Sequence, residues 1–193
     1  MKTMKKSNQL ILVATLTLCM LLTLFVPSTN VNAASKRTKA LTAYRNFMEK
    51  RTSYYDQFAL IYYNNDSTPD LFYNNYIDTA VYTYKKGKLV CLYKNSASGV
   101  YSSYYPKKRM LIGSYAHMGQ STETYYRSSG ACLSKSQGLG IRKSIYNKIS
   151  GYSYKSISKS TFNKTLKKYV GSKKKKKIKN YRNTAANRNK VLK

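Results

Sequence analysis

Apolar and polar positions follow two different rhythms along this chain. Over "SKRTKALTAYRNFMEKR" (35–51) the apolar side chains Leu41, Tyr44, Phe47 and Met48 recur every three or four residues, with Tyr55 just beyond. That spacing predicts an amphipathic helix. Lysines and arginines fill its other faces, so the stripe is expected to pack on a sheet; the alternative is a helix that lies on a partner or a membrane. From Phe58 the period shortens to two. "FALIYY", "LFYNNY", "TAVYTY" with "LVCLY", "GVYSSYY" with "MLIGSYA", and "TETYYRSSGACLS" read as strands separated by turn residues. Gly87 in "KKGK" and Pro106 in "PKKR" mark two hairpin turns. The helical period returns at "SKSTFNKTLKKYVG" (158–171), with Phe162, Leu166, Tyr169 and Val170 on one face, a serine cap upstream and Gly171 as the stop. "TAANRNKVL" suits one further helical turn.

The expected fold is therefore α+β: an N-terminal amphipathic helix, an antiparallel meander of about five to seven strands, a C-terminal helix and a basic tail. The absence of βαβ alternation argues against a doubly wound sheet.

The first residues change where this fold is expected to work. Lys2, Lys5 and Lys6 precede an uncharged apolar run from Leu10 to Val26, and "PSTNVNA" follows. This is the pattern of a secretory signal over 1–33, with Val31 and Ala33 as the small residues before the cleavage point. The other reading is a retained anchor, for which a run of this length is short. The remainder divides into a single α+β domain over 34–171 and a basic tail over 172–193. The expected location is outside the cell or on its surface.

Charge narrows the expected partners. The full chain carries +30, and losing the three leader lysines leaves +27. The surplus sits toward the rear: from Ala34 to Glu123 there are 13 Lys/Arg and all 6 acids, whereas from Thr124 to Lys193 there are 20 Lys/Arg and no acid. Such self-repulsion is relieved by counterions or by an anionic partner. Lys173, Lys174, Lys175, Lys176, Lys177, Lys179, Arg182 and Arg188 are the candidate anion-binding residues. Five adjacent lysines are expected to be disordered or extended. The expected function is non-enzymatic binding to anionic envelope polymers or surfaces, such as wall polymers or anionic lipids. Binding of extracellular nucleic acid is the alternative, with the 21 tyrosines offering rings for stacking. Hydrolysis of envelope glycans or peptides is a third reading. It needs two carboxylates facing across a cleft, and the 6 acids show no pairing pattern.

The remaining chemistry is sparse. No phosphate-cradling loop or dinucleotide fingerprint occurs, and no cofactor is implied. His117 is the only histidine and has no ligand-spaced partner. Outside the leader, Cys91 and Cys132 are either a disulfide, stabilising by about 4 kcal/mol through the closed loop, or two separate thiols. A Cys–His nucleophile lacks any local signature. The tyrosines suit a half-buried sheet; the doublets Tyr104-Tyr105 and Tyr125-Tyr126 place one ring on each face, so one face can be core and the other a binding platform.

One segment carries a resemblance. Residues 58–93, with "ALIYYNNDSTPDLF" and "YTYKKGK", resemble small secreted proteins of Gram-positive bacteria in which "ALIDINxDGxPELL" precedes "YTYKNGK". The acidic segment of those proteins is similar to EF-hand-like and FG-GAP-like calcium loops, and "NTAANRNK" is similar to their endings. Aligned on Pro69-Asp70-Leu71, Asn64, Asp66 and Asp70 fall on the third, fifth and ninth loop positions. Tyr62 and Tyr73 stand where the first aspartate and the bidentate glutamate belong, and Ser67 replaces the turn glycine. A calcium loop needs several converging charged oxygens. The resemblance therefore implies a degenerate loop that keeps the turn without the metal, its Asn64 and Asp66 bonded to backbone amides.

Overall fold

Long alternating runs with few proline interruptions favour hairpins, and hairpins dominate the fold. The computed structural model describes residues 29–75, 77–96, 101–138 and 141–193. The expected secretory leader lies outside them apart from its last residues. Helix α1 spans Thr29–Glu49. Ten strands follow: β1 Gln57–Ile61, β2 Asp70–Asn74, β3 Thr79–Lys85, β4 Lys88–Asn95, β5 Tyr101–Tyr105, β6 Met110–His117, β7 Gln120–Arg127, β8 Gly130–Gly138, β9 Ile141–Ser150 and β10 Ser153–Ser156. Helix α2 spans Lys159–Val170, β11 Lys176–Lys177, β12 Tyr181–Arg182 and helix α3 Ala185–Val191.

The class is α+β, with the expected helix, antiparallel meander and C-terminal helix. The meander is divided between two sheets. One has the order β12-β1-β2-β3-β4, the other β10-β9-β8-β7-β6-β5-β11. Every pairing is antiparallel.

The residues from Lys36 to Lys193 form one compact unit, built in four layers. Ala40, Leu41, Tyr44 and Met48 of α1 cover one face of the five-stranded sheet through Phe58, Leu71, Tyr73 and Ala80. Its other face meets the seven-stranded sheet, joining Ile61, Tyr63, Phe72, Val81 and Tyr93 to Tyr101, Tyr104 and Leu111. The far face of the second sheet packs under α2, where Met110, Ile112, Tyr125 and Leu133 meet Phe162 and Val170. The tyrosine doublets do put their rings on opposite faces: Tyr104 enters the inter-sheet layer and Tyr105 the helix layer. Both faces are covered there, so these rings are core. Two-sided burial demands side chains that are large and tolerate a polar tip, which suits tyrosine. Tyr93 and Tyr101 join their hydroxyls at 2.7 Å, and Asn95 Nδ2 donates to Tyr101 Oη at 2.7 Å. Tyr54, Tyr55, Tyr115, Tyr152 and Tyr154 are exposed.

Helix α2 is bounded as its sequence implies. The Ser158 side chain accepts from Thr161 N, and Gly171 closes the end at φ 61°. The tail departs from a free appendage. The last two lysines of its run form β11, which adds an edge to the seven-stranded sheet beside Tyr104 and Ser103. Ile178 is buried between the sheets. Then β12 pairs with β1 of the other sheet, and Leu192 is buried under α1, its carbonyl accepting from Arg45 at 2.8 Å. Asn183 Nδ2 donates to the carbonyls of Met48 and Arg51, each at 2.8 Å. The tail is thus a strap across both sheets, and an isolated lysine run gives no hint of this because its anchors, Ile178 and Leu192, lie beyond it.

Candidate polyanion-binding surface

The site is built from the degenerate loop outward. Asp70 opens β2 and is fully buried. Its Oδ2 accepts from the amides of Tyr63 at 2.8 Å and Asn64 at 3.0 Å, and its Oδ1 from Asn64 Nδ2 at 3.0 Å. Asn64 Nδ2 also donates to Thr83 Oγ1 at 3.1 Å. Asn64 Oδ1 accepts from Asp66 N, and Asp66 Oδ1 from Thr68 N. Asn64 and Asp66 thus hold backbone amides, as the turn chemistry requires. The oxygens at the third, fifth and ninth loop positions therefore each serve the turn itself. Burial raises the Asp70 carboxyl above its ordinary range, and the donors from Asn64, Thr83 and Tyr63 only partly offset this.

This buttressed loop positions a second turn. The carbonyls of Tyr62 and Tyr63 accept from the amides of Lys107 at 2.7 Å and Arg109 at 2.9 Å. Pro106-Lys107-Lys108-Arg109, the turn between β5 and β6, is so clamped that Lys107 and Arg109 sit at φ 62° and 50°. Side chains other than glycine rarely adopt that region, and such strain persists only where surrounding bonds impose it. On the β3–β4 hairpin, Lys86 is likewise at φ 50°, ahead of Gly87 at 79°; positive φ at both positions is what a type I′ hairpin turn needs.

The two turns flank a cavity of about 440 Å³ lined by Lys36, Asn64, Asn65, Asp66, Thr83, Tyr84, Lys85, Val90, Leu92 and Arg109. Three cations face one carboxylate there. Lys36, Lys85 and Arg109 are exposed and form no ion pair among the described residues. A loop that resembles a cation site thus borders a cationic hollow.

Arg109 also joins the cavity to the tail. Its neighbour Lys108 points toward the start of the lysine run, its Nζ 3.9 Å from where a Cβ on Gly171 would stand. From there Lys173, Lys174 and Lys175 lead, all exposed, into Lys176 and Lys177 on the edge of the seven-stranded sheet. The expected anion-binding residues divide by environment. Lys173, Lys174, Lys176 and Lys177 are in no ion pair among the described residues. Lys175 binds Glu123 Oε1 at 2.9 Å. Lys179 lies over the Tyr181 ring at 5.5 Å and Arg182 over the Tyr54 ring at 5.0 Å. Arg188 has a structural place: its side chain is 17% exposed, it donates to Asn183 Oδ1 at 2.9 Å, and its Nε lies 4.0 Å from Glu49. The sequence reading missed Lys36, Lys85, Lys107, Lys108 and Arg109. "KKGK" and "PKKR" are legible as basic turns and Lys36 as part of the first helix, but their convergence depends on the pairing between loop and turn.

The cysteines stay apart. Cys91 lies exposed on the five-stranded sheet and Cys132 half-buried on the seven-stranded one, both as free thiols, so the disulfide considered above does not form in this structure. Burial pushes the Cys132 thiol up to about 11, which Arg127 opposes, and its Sγ donates to the Tyr125 carbonyl at 3.3 Å. That is the reverse of an activated nucleophile. His117 ends β6 exposed, beside Tyr115. Among the described residues no three His, Cys, Asp or Glu gather as a metal site, and no helix is long and apolar enough to cross a membrane. No family model, curated protein or solved structure matches the chain.

Proposed function

We propose that this is an exported, non-enzymatic binding protein that adheres by charge to anionic polymers or surfaces of the cell envelope. The observation that carries the reading is the unequal use of the two charge signs. Asp56 and Asp70 are buried and hydrogen-bonded within the fold, and among the described residues only two carboxylates meet a cation, in the pairs Lys175–Glu123 and Arg188–Glu49. The excess of about 27 positive charges outside the expected leader therefore has almost no internal partner. The exposed lysine edge, the turn 106–109 and the cationic hollow supply a track for it. Asp66 is the one carboxylate in the cavity lining, where a hydrolase would need two facing across the cleft, which disfavours that reading.

Binding of the full chain to purified walls and to anionic vesicles should fall by at least tenfold between about 50 and 300 mM salt, because screening shortens from about 14 to about 6 Å. Salt-insensitive binding sinks the proposal. A gel shift showing tighter binding to single-stranded oligonucleotide than to wall polymer moves the assignment to nucleic acid.

A further inference from the structure

The tail lysines supply diffuse charge, but the hollow between the two basic turns has the build of a discrete site. We infer that it seats one phosphodiester group of a polyol chain; this deepens the reading above and rests on it. The reasons are chemical. Arg109 offers a planar fork of donors and Lys36 and Lys85 two point charges around one space, the combination that suits a tetrahedral oxyanion. The floor is polar and fixed: Asn64 and Thr83 are 6% and 3% exposed and bonded to one another. Val90 and Leu92 give an aliphatic wall, with Tyr84 the single ring in the lining. At about 440 Å³ the space exceeds a lone phosphate and admits the short carbon linker on either side of it. A single ring offers little for successive stacked bases, which favours a polyol over a nucleic acid.

Preorganisation separates this hollow from an ordinary patch of lysines. Arg109 is held by its own amide on the Tyr63 carbonyl at 2.9 Å, at a positive φ of 50°. Tyr63 and Asn64 are in turn held by the buried Asp70. A charged side chain on a fixed backbone loses less freedom on binding than one on a mobile chain. Asp66, the one carboxylate in the lining, accepts from Thr68 N at 2.9 Å rather than from any of the three cations in an ion pair. The cations thus stay available to a ligand. Beyond Arg109 the path continues through Lys108 to the lysine edge, so a chain seated in the hollow can run on along Lys173–Lys177.

The test uses the purified full chain with sn-glycerol 3-phosphate and glycerophosphoglycerol as small probes, followed by two-dimensional amide NMR and calorimetry at low salt. Saturable binding of glycerophosphoglycerol is expected, with shifts confined to residues around 64–66, 83–92 and 107–109. Arg109→Gln and Lys85→Gln should each weaken it about tenfold. Lys174→Gln with Lys176→Gln should leave it within about twofold while weakening attachment to whole walls. Equal loss in both pairs of variants, or no saturable probe binding while wall binding persists, overturns the discrete site but leaves the charge-driven reading intact. Failure to bind walls, vesicles and probes alike overturns both. Tighter binding of a short oligonucleotide than of glycerophosphoglycerol at the same shifted residues overturns the polyol assignment. Thermal melts of the glutamine variants, expected to overlay the parent, exclude misfolding as the cause.

Discussion

The five-stranded and seven-stranded sheets use charge in opposite ways. Around the first, carboxylates are structural parts. Asp56 is 2% exposed and accepts from Tyr73 Oη at 2.7 Å and Ser53 N at 2.9 Å. Asp70 holds the 62–64 loop, and Asp78 Oδ1 accepts from Ser96 Oγ at 2.8 Å. Around the second, Glu123 is the one acid, and it is occupied by Lys175 and by the Tyr125 hydroxyl at 3.1 Å. Cations crowd that sheet and its strap with little to answer them. A fold can tolerate unanswered surface lysines because water solvates them at low cost, but it cannot leave a buried carboxylate without donors. Asp56, Asp66 and Asp70 accordingly sit where backbone amides need an acceptor, and the lysines face outward. The same lysines serve a second purpose on β11: a charged edge strand resists pairing with other chains.

The largest break in this comparison comes from removing the strap. Deleting 173–193 takes away β11, β12 and α3 and exposes the surfaces that Ile178 and Leu192 cover. Two lost aliphatic anchors alone cost about 4 kcal/mol or more, so cooperative unfolding in urea should vanish or shift far downward. By contrast, Lys173, Lys174, Lys176 and Lys177 changed together to glutamine should leave the urea midpoint nearly unchanged. A truncated chain as stable as the parent shows that the strap is only an appendage.

Next in size is Asp70→Ala. It orphans the amides of Tyr63 and Asn64 and takes from the Asn64 side chain one of its two acceptors, at about 3 kcal/mol. Because the same loop clamps Lys107 and Arg109, amide exchange should accelerate over 106–109 as well as over 62–66. Exchange confined to the loop would mean that the turn stands without it.

The smallest effect is in pH dependence. At Glu123 burial pushes upward, but the Lys175 hydrogen bond and charge outweigh it and hold the carboxyl below its ordinary range. Its contribution is present above the unfolded carboxylate range and is lost as pH falls through the folded value. The side chain is 32% exposed and Lys175 51%, so the contribution is below about 1 kcal/mol. Asp70 has the opposite sign, since its raised value favours the protonated form in the fold and penalises stability as pH rises through it. Glu123→Gln should therefore flatten the acid limb of the stability–pH curve slightly, measured by urea melts from pH 3 to 6. An unchanged limb assigns the acid sensitivity elsewhere.

Much of the fold was legible because short-range rules decided it. Ser158 and Gly171 bracket α2 as read, the "KKGK" and "PKKR" turns separate β3 from β4 and β5 from β6, and Leu41, Tyr44 and Met48 form the buried stripe of α1. Tyr55 was read as continuing that stripe and is instead 58% exposed, because the helix stops at Glu49. Strands β9 and β10 have no strong signal in the pattern: Ile149 is the one buried apolar side chain among those described in them, so "IRKSIYNKIS" and "SYKS" carry little alternation to read.

By itself the sequence determined the two helices, the antiparallel hairpins, the rearward surplus of positive charge and the inward bonding of the loop at 61–76. Each of these depends on residues within a few positions of one another, or on composition alone. Only the tertiary structure decided how the hairpins divide between two sheets, that the basic tail straps them together, and that Lys36, Lys85 and Arg109 share one hollow. Those features join residues from distant parts of the chain. They are set by which faces must be covered once every strand has a buried side, and local pattern carries no record of that.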